Sequence, residues 1–397
     1  MRFLIGGVGA LGGYYGGMLL KGGADVTFPV RQRRVAQLAE RGLVVKRADG
    51  EFKTPVKTVT AGAIDGPYDV VLVTCKAYDL DAAIDVFVPA PGPGGAVLPV
   101  LNGINHIALL SERLGTARVL GGVTLFSVVR APEGEIMVPG HGNGQTLFGE
   151  LAGEHSARCK AIHAALSAGG VPSTLSDNIV AEMWAKFSGF AAAAAIAVLT
   201  RARAGEIAAT PAGAGFVDAT LNECVRVTTA EGYPPPAAIT DAITDMYRRA
   251  FGEIGSDAAP SMLFDIENGR PTEGDHVIGD LVRRADRLGV EAPILRAALC
   301  NLQIYEARRA RVCATFLQAR ARAARHSGFL ELAASRSDFS CMPGGPGACR
   351  PSPPDEGAGH AGPSCGRARI ATCAGGKPGN HRSSEHAAGG RHAFGRQ

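Results

Sequence analysis

A strand, a glycine-rich turn and a helix follow one another at the start of this chain, and that order constrains the fold more than any other feature. Phe3, Leu4 and Ile5 read as the centre of a short buried strand. Gly7-Val8-Gly9-Ala10-Leu11-Gly12 comes next, and a helical stretch runs from Tyr14 to Leu20. Strand, G-x-G-x-x-G and helix in that order make a dinucleotide-binding turn. Gly7 permits the tight bend, Gly9 lets backbone approach a pyrophosphate, and Gly12 lets helix and strand pack closely. The phosphate charge would rest on the N–H groups at the helix start. The next β-rich segment, Ala24 to Val30, ends in Arg31-Gln32-Arg33-Arg34. An NAD reader usually places an acid there for the ribose 2′-hydroxyl. Cations suit a 2′-phosphate instead, which favours NADP.

The rest of the first half alternates in the same way. Val44–Lys46 and Phe52–Val59 read as short strands, and Asp69 to Thr74 as a buried parallel strand by its β-branched run. Leu80 to Phe87 reads as a helix, and Ala96 to Leu101 as another buried strand. Val119–Val129, Ile136–Val138 and Thr146–Phe148 are further strand-like segments. Residues 1–170 are thus expected to form an α/β, Rossmann-type doubly wound domain that holds NADP. Long helical stretches then take over, at Asn178–Val198, Gly213–Glu231, Pro235–Phe251, His276–Leu288 and Pro293–Arg309. Residues 171–310 are expected to be an all-α domain.

Residues 311–397 read as a helix extension followed by a low-complexity, disordered tail. Hydrophobic periodicity stops there, and Gly, Pro, Ser and Arg dominate. From Arg311 onward there are twelve Lys and Arg against five Asp and Glu, a balance of +7. The whole chain carries +4, so residues 1–310 carry −3 and the basic balance belongs to the tail. Five of the nine Cys lie in this region, and Cys341, Cys349, Cys365 and Cys373 fit no compact ligand spacing, so no metal is expected. Scattered thiols without CxxC, no signal-peptide pattern and no apolar run of membrane-spanning length suggest a cytoplasmic protein. The longest apolar candidate, Phe190 to Leu199, is short and Ala-rich.

Two polar residues stand at the ends of expected parallel strands, where open α/β sheets bind ligands: Lys76 and Asn102. A third, Lys186, is one of eight lysines and is flanked by Trp184 and Phe187. Apolar surroundings depress an ammonium pKa and suit it to donate a proton near neutral pH. His106 and His141 read as structural or surface residues.

With these residues the chain resembles the ketopantoate reductases (2-dehydropantoate 2-reductases) over about residues 1–310. The shared features are the N-terminal glycine turn, Arg31, Lys76, Asn102-Gly103, Trp184-x-Lys186, Leu199-Thr200-Arg201, Ser261-Met262-x-x-Asp265, Thr272-Glu273, and Gly289-Val290 with Pro293. The resemblance implies that Lys186 is the catalytic general acid. It implies that Glu273 is Lys186's catalytic partner and touches the cofactor. Ser261 would contact the substrate carboxylate. Lys76 and Asn102 would lie on the cofactor side near the nicotinamide ribose, with Asn102 and Lys186 also touching substrate. The implied reaction is NADPH-dependent reduction of a 2-oxo acid, first of all 2-dehydropantoate to pantoate. The implied partner is a small-molecule 2-oxo acid, with neither nucleic acid nor membrane; a homodimer is left open.

Two positions depart from the family pattern. It carries Asn four and eight residues after the catalytic Lys, where this chain has Phe190 and Ala194. Positions i, i+4 and i+8 share a helix face, so that face is apolar here. A less polar 2-oxo acid is the alternative substrate this suggests. A non-catalytic NADP-sensing protein is the alternative of another class. Thr272-Glu273-Gly274-Asp275 also has Gly where the family has Ile.

Overall fold

The computed structural model describes residues 1–138, 144–234, 249 and 254–326. His141, most of the expected helix from Pro235 to Phe251, and the tail beyond 326 lie outside the described residues.

The N-terminal half is built on a five-stranded sheet in the order β5-β2-β1-β6-β7. Its strands are β1 (Arg2–Gly6), β2 (Asp25–Pro29), β5 (Lys57–Val59), β6 (Tyr68–Val73) and β7 (Pro91–Pro99). All four pairings are parallel, with Phe3 opposite Val26 on one side and Val70 on the other. Parallel strands need crossovers, supplied by α1 (Ala10–Lys21), α2 (Gln32–Arg41) and α3 (Leu80–Phe87). Both faces of the sheet are therefore covered, which is why its strands read as near-continuous apolar runs rather than alternating ones. The parallel arrangement also puts Gly7, Arg31, Lys76 and Asn102 just past the carboxyl ends of four neighbouring strands, β1, β2, β6 and β7.

Two expected strands are each two. Phe52–Val59 divides into β4 (Gly50–Thr54), antiparallel to β3 (Leu43–Arg47), and β5, parallel to β2. Pro55 lies at the break, and proline cannot donate to a ladder. Val119–Val129 divides because the chain changes sheets. Its first part, β8 (Leu120–Thr124), pairs with β11 (Thr146–Glu150). Its second, β9 (Val129–Arg130), pairs with β10 (Ile136–Met137). The short β12 (Ser173–Leu175) pairs with β11 and carries strand structure past residue 170, where the α/β region was expected to end. Three residues after Gly170 are too few to show a period in sequence. The remaining helices of this half are α4 (Asn105–Leu114) and α5 (Ala157–Ala168).

The helical half centres on α6 (Ile179–Thr200). Its Ala191 to Ala195 are each at most 2% exposed, and small side chains there let neighbouring helices approach closely. Around it stand α7 (Ala204–Ala208), α8 (Gly213–Ala230), α9 (Ser261–Glu267), α10 (Asp280–Leu288) and α11 (Pro293–His326). With 22 residues α6 is long and apolar enough to cross a membrane, longer than the Phe190–Leu199 segment the sequence suggested. It is instead the core helix of this half, with Phe190, Ile196 and Val198 in one apolar cluster with Leu221, Leu281 and Leu295. Glu223, 2% exposed, accepts from the Ile294 and Leu295 N–H groups and so caps the start of α11. A π-turn over Asp275–Gly279 precedes α10 and begins two residues after Glu273, an irregularity that often marks functional sites.

Candidate active site

The three glycines of the turn separate by what a side chain would meet. At Gly7 (φ +117°) an added Cβ would lie 2.6 Å from the Cys75 backbone nitrogen. At Gly12 it would lie 1.9 Å from the Gly7 carbonyl oxygen. Both positions press the turn against β6, where Thr74 Oγ1 also donates to the Gly7 carbonyl at 2.6 Å. At Gly9 nothing stands within 4 Å. Gly9 is also the N-cap of α1, and no side chain among the described residues accepts from the helix's first N–H groups. Val8, Ala10 and Leu11 are half-buried around that opening. A space closed at Gly7 and Gly12 and open at Gly9 fits a pyrophosphate on a helix N-terminus.

Arg31 begins α2 as its N-cap residue and is exposed, with no ion pair among the described residues. It is free to meet a 2′-phosphate. Arg34 is committed elsewhere. It donates to the Gly134 carbonyl at 3.3 Å and to Gln37, whose own amide holds the Glu133 carbonyl. Burial and the charge of Arg130 pull its pKa below the usual arginine value. So Arg34 pins the 131–135 turn.

Lys76, Asn102, Lys186 and Glu273 come together from four distant segments. Lys186 Nζ donates to Asn102 Oδ1 at 2.8 Å. Asn102 Nδ2 points to Glu273 Oε2 at 3.4 Å, a long contact. Lys76 Nζ donates to Glu273 Oε2 and to Asp265 Oδ2, both at 2.9 Å, and the Ala77 N–H donates to Glu273 Oε1 at 3.1 Å. Gly103, at φ +86°, backs onto the His276 carbonyl, which seats the Asn102 loop on the π-turn. Gly274 fits where a side chain would strike Leu302, so the departure there is a packing choice.

Charges in this cluster are unequal. Burial pulls the Lys186 pKa down to about 8, and the Glu273 carboxylate opposes only part of that. Burial acts on Lys76 too, but the Glu273 and Asp265 carboxylates outweigh it and hold its ammonium above the usual lysine value. Lys76 is therefore held as a cation, while Lys186 is the lysine whose titration is brought down toward neutrality. Burial raises the Asp265 carboxyl, against the pull of Lys76. His106 is 5% exposed, and burial followed by the Lys186 charge lowers its pKa to about 3, so it is neutral.

Ser261 is the first residue of α9, exposed, its side chain without a hydrogen bond among the described residues. It lies one helical turn from Asp265 on the same face. Asp265 is the residue whose place in the cluster sequence reasoning missed. It stood in the Ser261-Met262-x-x-Asp265 pattern without a role, and only its spacing from Ser261 could have indicated one. Phe190 lies against the cluster, with Lys186 Nζ 5.5 Å from its ring centre, and Ala194 is fully buried.

Comparison with known proteins accords with this geometry. The family described as ketopantoate reductase PanE/ApbA matches residues 3–153, and its C-terminal part matches residues 178–306. The chain belongs to the ketopantoate reductase family. The uncharacterized oxidoreductase YkpB of Bacillus subtilis (strain 168) is 35% identical over 77% of this chain and 99% of its own length. A 2-dehydropantoate 2-reductase of Halobacterium salinarum is 29% identical over 75% of this chain and 96% of its own. The crystal structure of 2-dehydropantoate 2-reductase from Geobacter metallireducens GS-15 superposes with a TM-score of 0.69 at 27% identity, covering 76% of this chain and 99% of that one. The ternary structure of D-mandelate dehydrogenase with NADH and anilino(oxo)acetate shares the fold, at 22% identity and a TM-score of 0.71. As a ketopantoate reductase family member the chain is an oxidoreductase, and NADP(H) is its cofactor. The open turn at Gly9 and Arg31, unpaired among the described residues, fit that cofactor.

Proposed function

We propose that this oxidoreductase reduces a 2-oxo acid to the 2-hydroxy acid with Lys186 as general acid. The observation that carries the proposal is the Lys186 ammonium, held by Asn102 Oδ1 at 2.8 Å in surroundings that bring its pKa to about 8. An ammonium has three N–H donors. One goes to Asn102, which leaves others for the keto oxygen of a substrate. NADPH, when bound, supplies a hydride to the keto carbon. The carbon–oxygen double bond opens, negative charge grows on oxygen, and Lys186 Nζ stabilises that charge and gives up its proton. Glu273 holds Lys186 charged until then and fixes Asn102 and Lys76. Ser261, at the start of α9, is the proposed contact for the substrate carboxylate. The Gly7–Gly12 turn, Arg31, Lys76, Asn102 and Glu273 are the proposed cofactor contacts.

Among 2-oxo acids, 2-dehydropantoate is the first substrate to test, given the family. A second reading, a less polar 2-oxo acid, is favoured by the Phe190 ring lying beside Lys186 Nζ. Ring and ammonium attract each other, but the ring offers a substrate hydroxyl no strong donor. NADPH oxidation followed with a panel of 2-oxo acids tests both. Turnover with none of them, by a protein that binds NADPH, would overturn the reductase reading.

A further inference from the structure

We propose that Glu306, on α11, is a positioning residue for Glu273. This rests on the reading of Lys186 and Glu273 as the reacting pair. Glu273 sits in an irregular stretch between the end of α9 at Glu267 and the π-turn at Asp275. Irregular backbone near a buried site needs partners outside itself. Two neighbouring residues of α11 supply them. Tyr305 Oη donates to the Arg270 carbonyl at 2.7 Å. Glu306 Oε1 accepts from the Thr272 N–H at 2.8 Å and from Thr272 Oγ1 at 2.9 Å. The same Thr272 oxygen accepts from the Gly274 N–H at 3.4 Å, so the clamp reaches both sides of Glu273. Arg309 Nε, at 2.8 Å from Glu306 Oε2, fixes the clamp in turn. Hydrogen bonds to an ionised acceptor are the stronger kind. Thr272 is 9% exposed, so its donors have little water to fall back on.

Losing the clamp frees the Glu273 backbone and loosens its carboxylate from the site. Lys186 then loses part of the nearby charge that keeps it protonated. The titratable groups facing Lys186 are Glu273 and His106, and those facing Glu273 are Lys76, Asp265, Cys75 and Tyr78. None of these is altered by a change at residue 306, so a displaced Lys186 titration reports position.

Eight lysines make that titration readable by NMR on the full chain labelled with ¹³C at lysine Cε, with Lys186 assigned through Lys186→Arg. Glu273→Gln sets the largest downward displacement of the Lys186 midpoint. Glu306→Ala should give a substantial fraction of it, about half a pH unit, as expected when an opposite charge is loosened. Glu306→Gln should leave the midpoint in place, because its amide oxygen still accepts from Thr272. Thr272→Val, which removes only the hydroxyl leg, should give a smaller displacement of the same sign, and it decides the matter should Glu306→Ala not fold. An unmoved midpoint in Glu306→Ala, or in Thr272→Val where that variant decides, overturns the positioning role, as does a Gln variant that matches Ala. If Glu273→Gln itself moves nothing, the Lys186–Glu273 coupling fails, and the catalytic pair fails with it.

Discussion

The glycine turn is held by backbone, whereas the lysine cluster is held by charge. In the turn, Gly7 and Gly12 touch neighbouring main chain so closely that no side chain fits. The residues involved lie within one strand–turn–helix unit and the adjoining β6. In the cluster, Lys76, Asn102, Asp265, Lys186 and Glu273 come from four elements and the loops beside them, separated by up to 197 positions in sequence. Nothing local brings them together. The difference teaches that the glycine turn is a property of one segment, while the cluster proposed to donate the proton is a property of the whole fold.

Lys186→Ala should break the second region and leave the first. Turnover should fall ~10²-fold or more, as for loss of a general acid. NADPH affinity, read by fluorescence titration, should hardly change. A variant that keeps most of its turnover removes Lys186 from the mechanism.

Gly12→Ala should do the reverse. A Cβ placed 1.9 Å from the Gly7 oxygen forces α1 away from β1, and overpacking of this kind costs about 1–3 kcal/mol or more. Gly9→Ala meets nothing in the free protein and should fold normally while binding NADPH less well. Thermal melts with and without NADPH separate the two. Equal melting temperatures for both variants would mean that the glycines do not divide their roles in this way.

Legibility in the sequence follows the same division. The turn, Arg31 and the β6 strand with Lys76 just past its end were readable because short-range spacing encodes them. Lys186 was readable from its apolar flanks, and α6 from its length. The partnership of Lys76 with Asp265, the π-turn after Glu273 and the clamp at Glu306 were not, because each depends on which segments the fold brings into contact. The sheet change at Leu125 was hidden for the same reason, since pairing partners leave no mark on a single strand.

Arg31→Ala sharpens the cofactor side. Loss of a charge-assisted phosphate contact costs on the order of 1.5–3 kcal/mol, or about tenfold or more in the apparent KM for NADPH. NADH lacks that phosphate and should be used about as before. Equal losses with both cofactors would make Arg31 structural.

The cluster predicts a pH response of its own. With Lys186 as the proposed general acid, kcat/KM should fall as pH rises through about 8. Stability should move the opposite way. The folded Lys186 pKa lies below its unfolded value of 10.5, so between about 8 and 10.5 the unfolded chain binds more protons. The contribution of Lys186 to stability therefore rises with pH across that window. Lys186→Met should raise the melting temperature at pH 7 by removing a buried charge, and the gain should shrink toward pH 10. A gain that stays constant with pH would mean Lys186 titrates normally.

Phe190→Asn should have the smallest effect on rate and the most direct one on choice. Phe190 is 8% exposed, with its ring 5.5 Å from Lys186 Nζ, so an amide there would meet whatever the ammonium meets. Sites built to hydrogen-bond a substrate hydroxyl discriminate strongly, and those lacking the partner do so weakly. The variant should gain kcat/KM for 2-dehydropantoate relative to apolar 2-oxo acids, while its NADPH affinity stays unchanged. Ala194, fully buried on the same face, has no room for an amide without repacking, so Phe190 is the position to change. The apolar reading is sunk if the unmodified protein prefers 2-dehydropantoate to every other acid, with kcat/KM of about 10⁴ M⁻¹s⁻¹ or higher. In that case the hydroxyl is met by another group, such as Ser261 at the start of α9, and the Phe190 ring serves only to lower the polarity around Lys186.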